Sequence, residues 1–289
     1  MKIEYVVAHK SITGARAAQG KINEDSFFVL QKKVQEKEGN EELVFFAGVA
    51  DGVGGLYRGD IASNYIKEQL VGWFEENWDT IRVASFEEVK ERLHEEILLV
   101  HEQLRQKARE ENVQMGSTLV VLFQRKDAYF FFNIGDSRGY LLQGKELVQV
   151  TRDQTEAQRA TDAGMLQNPI PKEDRRWHTL LQAVGASKNL VPAYHAGQVK
   201  GDFLFFLCSD GMTNRISHLE LQQELQRTDT HTQKEKLIAL MKLAIMREET
   251  DNLTGMILKR RFQENDCRFK PAEDERAPAV FGEAPTEQI

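Results

Sequence analysis

Cysteine is nearly absent from this 289-residue chain: there is only Cys208, inside an apolar run, and Cys267, in a polar stretch. Two isolated thiols make neither a ligand cluster nor a disulfide framework, so a cysteine-built metal module and a small secreted scaffold are excluded, and a reducing, cytoplasmic setting is expected. Long apolar runs are missing too. None approaches membrane-spanning length, and the first ten residues lack a signal-peptide core, so no membrane association is expected. Positive charge is in deficit: Lys+Arg 38 against Asp+Glu 45 gives a net charge of −7, which removes any general attraction to nucleic acid or anionic lipid. No Pro/Gly/Ser linker or internal repeat interrupts residues 1–260, which therefore read as one domain. Three of the six prolines fall after residue 260, among acidic residues without apolar periodicity, and 261–289 is expected to be a flexible tail.

What the chain does have is ordinary globular material, 41% hydrophobic and 29% charged, enough for a substantial core. Phe86, Val89, Leu93, Ile97, Val100 and Leu104 recur at alternating spacings of three and four, and Ser85 with Glu88 forms a capping box, predicting a long helix over 85–110. A second helix is expected over about 60–76, and Leu237, Leu240, Met241 and Ala244 mark a third. Short β-rich runs at 43–49, 119–124, 129–134, 203–207 and 256–259 read as strands, several apolar enough to be buried on both faces. Hairpin-like neighbours at 117–123 and 129–133 favour antiparallel pairing, so the expected class is α+β, helices layered on sheets, rather than strict βαβ alternation.

The most informative pattern is a repeated one. Apolar strands end in Asp and a small residue at Asp51-Gly52, Asp136-Ser137 and Asp210-Gly211; Asp251-Asn252 precedes the last apolar run, and Glu24-Asp25 precedes Phe27 to Leu30. A single Asp-Gly after a strand is a turn signal. Several such carboxylates gathered at one sheet end would repel one another, and make physical sense around a divalent cation. Oxygen-only ligands select a hard ion, Mg²⁺ or Mn²⁺ rather than Zn²⁺. Gly52, without a Cβ, lets its carbonyl approach a cation closely. The glycines of 52–59 lead into a helix but carry neither a Walker Lys-Ser/Thr nor GxGxxG spacing, which argues against a nucleotide cradle.

Taken in order, Asn23-Glu24-Asp25-Ser26, Asp51-Gly52-Val53-Gly54-Gly55 with Gly59-Asp60-Ile61-Ala62-Ser63, Gly116-Ser117-Thr118, Gly135-Asp136-Ser137-Arg138, Ser209-Asp210-Gly211 and Asp251-Asn252-Leu253-Thr254 resemble the protein phosphatase 2C family of metal-dependent Ser/Thr phosphatases in its short bacterial form. The resemblance spans residues 1 to about 260. It implies a four-layer α-β-β-α sandwich, two mainly antiparallel sheets flanked by helices, with two Mn²⁺ or Mg²⁺ ions at one end and a weaker third. By motif, Asp51 would bridge both metals, the Gly52 carbonyl would bind the first, Asp210 and Asp251 the second, and Asp136 with Asp210 the third. Glu24, Asp25 and Asn252 would act through water or behind the ligands. The implied reaction is in-line attack on phosphorus by a metal-activated water, with Asp51, Asp210 and Asp251 indispensable. Implied partners are phosphorylated proteins and a cognate Ser/Thr kinase.

Two departures from the family pattern matter. The phosphate-gripping Arg expected five residues before Asp25 is replaced by Gly20, leaving Lys21 and Arg16 as phosphate-binding candidates that differ in geometry. Position 53 is Val, which cannot act as an acid. Residues 151–185 correspond to the family's flap, where Arg175 to His178 read either as a solvated basic turn or as a phosphopeptide contact. His94 and His101 read as partly exposed helix residues, not ligands. A catalytically weak or silent regulator that binds phosphoproteins or a kinase is the competing reading, supported by Gly20. A two-metal nuclease is disfavoured by the net charge and the lack of a basic stripe.

Overall fold

In the computed structural model, residues 2–15, 20–35, 41–53, 58–165, 170, 174–227 and 232–263 are described. Two five-stranded antiparallel sheets form the centre. One has the order β2 (Asp25–Gln35), β3 (Glu41–Asp51), β4 (Leu119–Arg125), β5 (Ala128–Ile134), β8 (Ala193–Gln198). The other runs β1 (Lys2–Ile12), β10 (Leu253–Gln263), β9 (Phe203–Cys208), β6 (Arg138–Gln143), β7 (Glu146–Gln149). Helices α1 (Gly59–Glu76) and α3 (Phe86–Glu110) cover the first sheet, joined by α2 (Trp78–Ile81), and α5 (Gly211–Asn214), α6 (His218–Gln226) and α7 (Gln233–Met246) cover the second. A short α4 (Glu156–Asp162) lies in the flap. The result is the expected α-β-β-α sandwich.

Side chains of the interior strands alternate between two apolar layers. In β3, Val44 and Phe46 pack under α1 and α3 while Phe45, Ala47 and Val49 point between the sheets. In β9, Leu204 and Phe206 face α6 and α7 while Phe203, Phe205 and Leu207 join the central layer. A strand buried on both faces has no polar side, which is why these runs are continuous in the sequence. Ser85 Oγ accepts from the Glu88 N–H at 3.2 Å and the Ser85 N–H donates to Glu88 Oε2 at 2.8 Å, so the predicted box starts α3.

Antiparallel register brings strand ends together. Asp25 pairs with Asp51, and the β4–β5 hairpin, closed by Lys126 and Asp127, returns the chain to Gly135 and Asp136 beside the start of β4. From the second sheet, β9 ends just before Asp210 and β10 begins just after Asp251. His101 departs from expectation. It is 2% exposed because its Nδ1 accepts the Gly185 N–H at 2.9 Å, tying the flap's end to α3.

Candidate active site

Asp51 is held by backbone rather than by its carboxylate. Its N–H donates to Thr118 Oγ1 at 3.1 Å, and its carbonyl accepts from Ser117 Oγ and the Thr118 N–H, both at 2.8 Å. Its carboxyl is pushed well above the usual carboxylate range, by burial first and then by the charges of Asp25, Asp210, Asp251 and Asp136. Gly52 donates its N–H to the Glu24 carbonyl at 3.1 Å, and a Cβ there would come within 2.4 Å of Gly59, so only glycine lets α1 start this close. Asp25 is buried with Oδ2 bonded to Ser209 Oγ at 2.8 Å, and burial moves it up to about 6. Glu24 is raised as well, chiefly by burial, and its N–H donates to Asn252 Oδ1 at 3.0 Å.

Asp136, 8% exposed, sits where β5 leads into β6, and is raised by burial and by Asp210 and Asp153. Asp210 behaves differently: burial would raise it, but the His178 imidazole 3.8 Å away, the hydrogen bond from Asn214 and the charge of Arg138 bring it below the usual value. Asp251 lies on the turn before β10, where Glu249 Oε1 accepts the N–H of Thr250 at 2.8 Å and of Asp251 at 2.9 Å. Lys21 Nζ donates to Asp251 Oδ1 at 2.7 Å and to the Thr250 carbonyl at 3.2 Å, so this candidate is engaged with a carboxylate. Arg16 and the glycines 54 and 55 lie outside the described residues, as does 264–289 of the expected tail.

Asp136, Asp210 and Asp251 line a cleft of about 460 Å³, and Trp177 and His178 form part of its wall. Among the described residues, no three acidic, imidazole or thiol groups already meet at metal-ligand spacing. The carboxylates are nevertheless close enough to raise one another's pKa, and the buried oxygens Asp25 Oδ1 and Asp210 Oδ1 have no hydrogen-bond partner among the described residues. Unpaired buried carboxylates are costly, and an oxygen-only donor set of this kind fits a hard divalent ion.

The sequence profile of the protein phosphatase 2C family matches residues 14–245. The chain belongs to that family. By this membership it is a metal-dependent serine/threonine protein phosphatase, with phosphoproteins as its substrate class. The serine/threonine phosphatase stp of Listeria welshimeri is 30% identical over 251 residues, 85% of this chain and 94% of that protein. Among solved structures, PppA, a key regulatory component of T6SS in Pseudomonas aeruginosa, is 28% identical with a TM-score of 0.67, covering 88% of this chain and 96% of its own. The catalytic domain of PstP in complex with two manganese ions shares the fold at a TM-score of 0.70, with 23% identity over 90% of this chain and 100% of that one.

Several residues at the phosphatase cleft make contacts that no local sequence pattern encodes. Arg138 grips Asp153 through Nε and Nη2, with Nη2 to Oδ2 at 2.6 Å, a pair made by β6 and the flap and invisible in either segment alone. His178 Nδ1 stands 3.8 Å from Asp210 Oδ2, so the turn 175–178 is not wholly solvated: Trp177 and His178 face the cleft while Arg176 pairs with Asp174. Thr118 Oγ1 and Ser137 Oγ, 2.7 Å apart, link the segments carrying Asp51 and Asp136.

Proposed function

We propose that this phosphatase hydrolyses phosphoserine and phosphothreonine in proteins with two divalent ions, Mn²⁺ or Mg²⁺, held by Asp51, the Gly52 carbonyl, Asp210 and Asp251, and that Asp136 with Asp210 serves a weaker third. One observation carries the reading: carboxylates from both sheets gather at one mouth, with Asp25, Asp51 and Asp136 raised by burial and Asp25 and Asp210 each keeping an oxygen without a partner among the described residues, an arrangement that calls for cations. When bound, the ions lower the pKa of water and offset charge on phosphoryl oxygens.

The chain's own part is positional. Ser117 and Thr118 fix the Asp51 backbone, and Gly52 keeps α1 close behind it. Asn214 Nδ2 donates to Asp210 Oδ2 at 3.2 Å, and Oδ1 is buried without a partner among the described residues. Asn252 and Glu24 join the two sheets across the mouth through the 3.0 Å bond. Val53 brings no proton donor, and Lys21 sets a positive charge beside Asp251. A cytoplasmic location, with a Ser/Thr kinase supplying the substrates, accords with the free buried thiol of Cys208 and with the absence, among the described residues, of a helix long and apolar enough to cross a membrane.

The test is Mn²⁺-dependent phosphate release from a phosphothreonine peptide, with EDTA as control and Asp210→Ala as comparison. We expect turnover that EDTA abolishes and the variant loses. Bound metal without wild-type turnover would move the assignment to a silent regulator, the reading favoured by Gly20, where no guanidinium is present.

A further inference from the structure

Most of the positive charge at the cleft is committed. Arg138 is bonded to both oxygens of Asp153, and Lys21 to Asp251. Arg215, which follows α5 and lines the same cleft as Asp210 and Asp251, differs from these. Its side chain is 51% exposed, and its ion pair among the described residues is a loose one, Nε to Glu249 Oε2 at 3.7 Å, beyond hydrogen-bond reach.

The loose pair stands on firm supports. The Arg215 carbonyl accepts from Arg247 Nη1 at 2.7 Å, and Arg247 also grips Glu220 with bonds of 3.0 and 2.5 Å. Glu249 is 5% exposed; its Oε1 organises the turn that delivers Asp251, which leaves Oε2 for the guanidinium. That turn is set by Glu248 in the left-handed region at φ 61°. A guanidinium lining an acidic cleft, with its donor fork unfilled among the described residues, is built to take a planar oxyanion in two-pronged fashion.

Resting on the phosphatase reading above, we propose that Arg215 contacts the substrate, taking an oxyanion of the bound phosphoprotein, and that Glu249 aims it. The oxyanion is either the phosphoryl group itself, in place of the guanidinium missing at Gly20, or an acidic side chain flanking the phosphorylated residue. Steady-state kinetics of the full chain with Mn²⁺ separate the two, using para-nitrophenyl phosphate and phosphothreonine peptides with neutral or acidic flanks. Arg215→Ala raises KM by about tenfold with kcat within about twofold, and Arg215→Lys recovers part of it. A rise on all three substrates assigns the phosphoryl group; a rise confined to the acidic peptide assigns the flank. Unchanged KM on all three, or a loss carried by kcat with weakened Mn²⁺ binding, overturns the proposal. A wild type without turnover refutes the phosphatase reading instead, and calorimetric phosphopeptide binding to the wild type and Arg215→Ala then decides on Arg215, since an equal Kd for both removes it.

Discussion

Asp51 and Asp251 reach one mouth from opposite sheets on different supports. Asp51 closes β3, flanked by β2 and β4, with its backbone bonded to Ser117 and Thr118. Asp251 precedes its strand, on a turn shaped by Glu249, and its side chain is 43% exposed with Lys21 beside it. The first is part of a ladder; the second is held by a few side chains. Preorganisation belongs where both proposed ions would be gripped, and a turn suits the side from which substrate enters. Arg215 shares that adjustable side through Glu249.

The largest expected effect tests this contrast directly. Asp51→Asn lowers phosphate release by about a thousandfold or more at saturating Mn²⁺, the several kcal/mol that metal assistance supplies. Asp251→Asn on the turn is partly rescued by raising Mn²⁺; equal and unrescued losses in both would erase the distinction. Next in size is the response of the metal-free protein to pH. Asp25, Asp51 and Asp136 are raised in the folded state, so that state binds protons more tightly than the unfolded chain, and stability falls as pH rises from the ordinary carboxylate value near 4 through about 6, the value for Asp25. Melting in EDTA should therefore drop by about 5 °C between pH 5 and pH 7, and Mn²⁺ should reverse the drop. A flat profile in EDTA would mean that the mouth does not carry repelling charge. The smallest effect concerns Lys21, whose pair with Asp251 is partly exposed. Lys21→Gln costs the metal-free protein under about 1 kcal/mol, read as a small melting shift that disappears when Mn²⁺ takes over its role.

How much of this was visible in the sequence follows from burial. The runs that became β3, β4, β5 and β9 announced themselves because both faces are apolar, and α3 because a capping box marks its start. Strands β6, β7 and β8 did not: they are short, and β8, Ala193–Gln198, alternates half-buried and exposed positions with small and polar residues. Its place depends on pairing with β5, which no local signal encodes. The same division runs through the site. Asp51, Asp136 and Asp210 were readable because each ends an apolar run, and His178 was open between two readings, whereas Arg215 and Glu249 owe their positions to a contact between distant segments. His101 was misjudged because the bond that buries it comes from Gly185, in the flap.

Burial on both faces carries a further consequence, for how a strand counts. In most sheets a one-residue slip exposes apolar groups and is rejected at once. Within β5, a slip would exchange Phe130 and Phe132 for Tyr129 and Phe131, aromatic for aromatic. The core is a poor proofreader of its own alignment. That task passes to the two-residue connection Lys126–Asp127, with Lys126 at φ 54°, and to the bond from Asn133 Nδ2 to the Arg152 carbonyl at 2.9 Å. One residue inserted at that connection would leave the interior's composition untouched and carry Asp136 out of line, an error silent in the hydrophobic layers and legible in the chemistry alone.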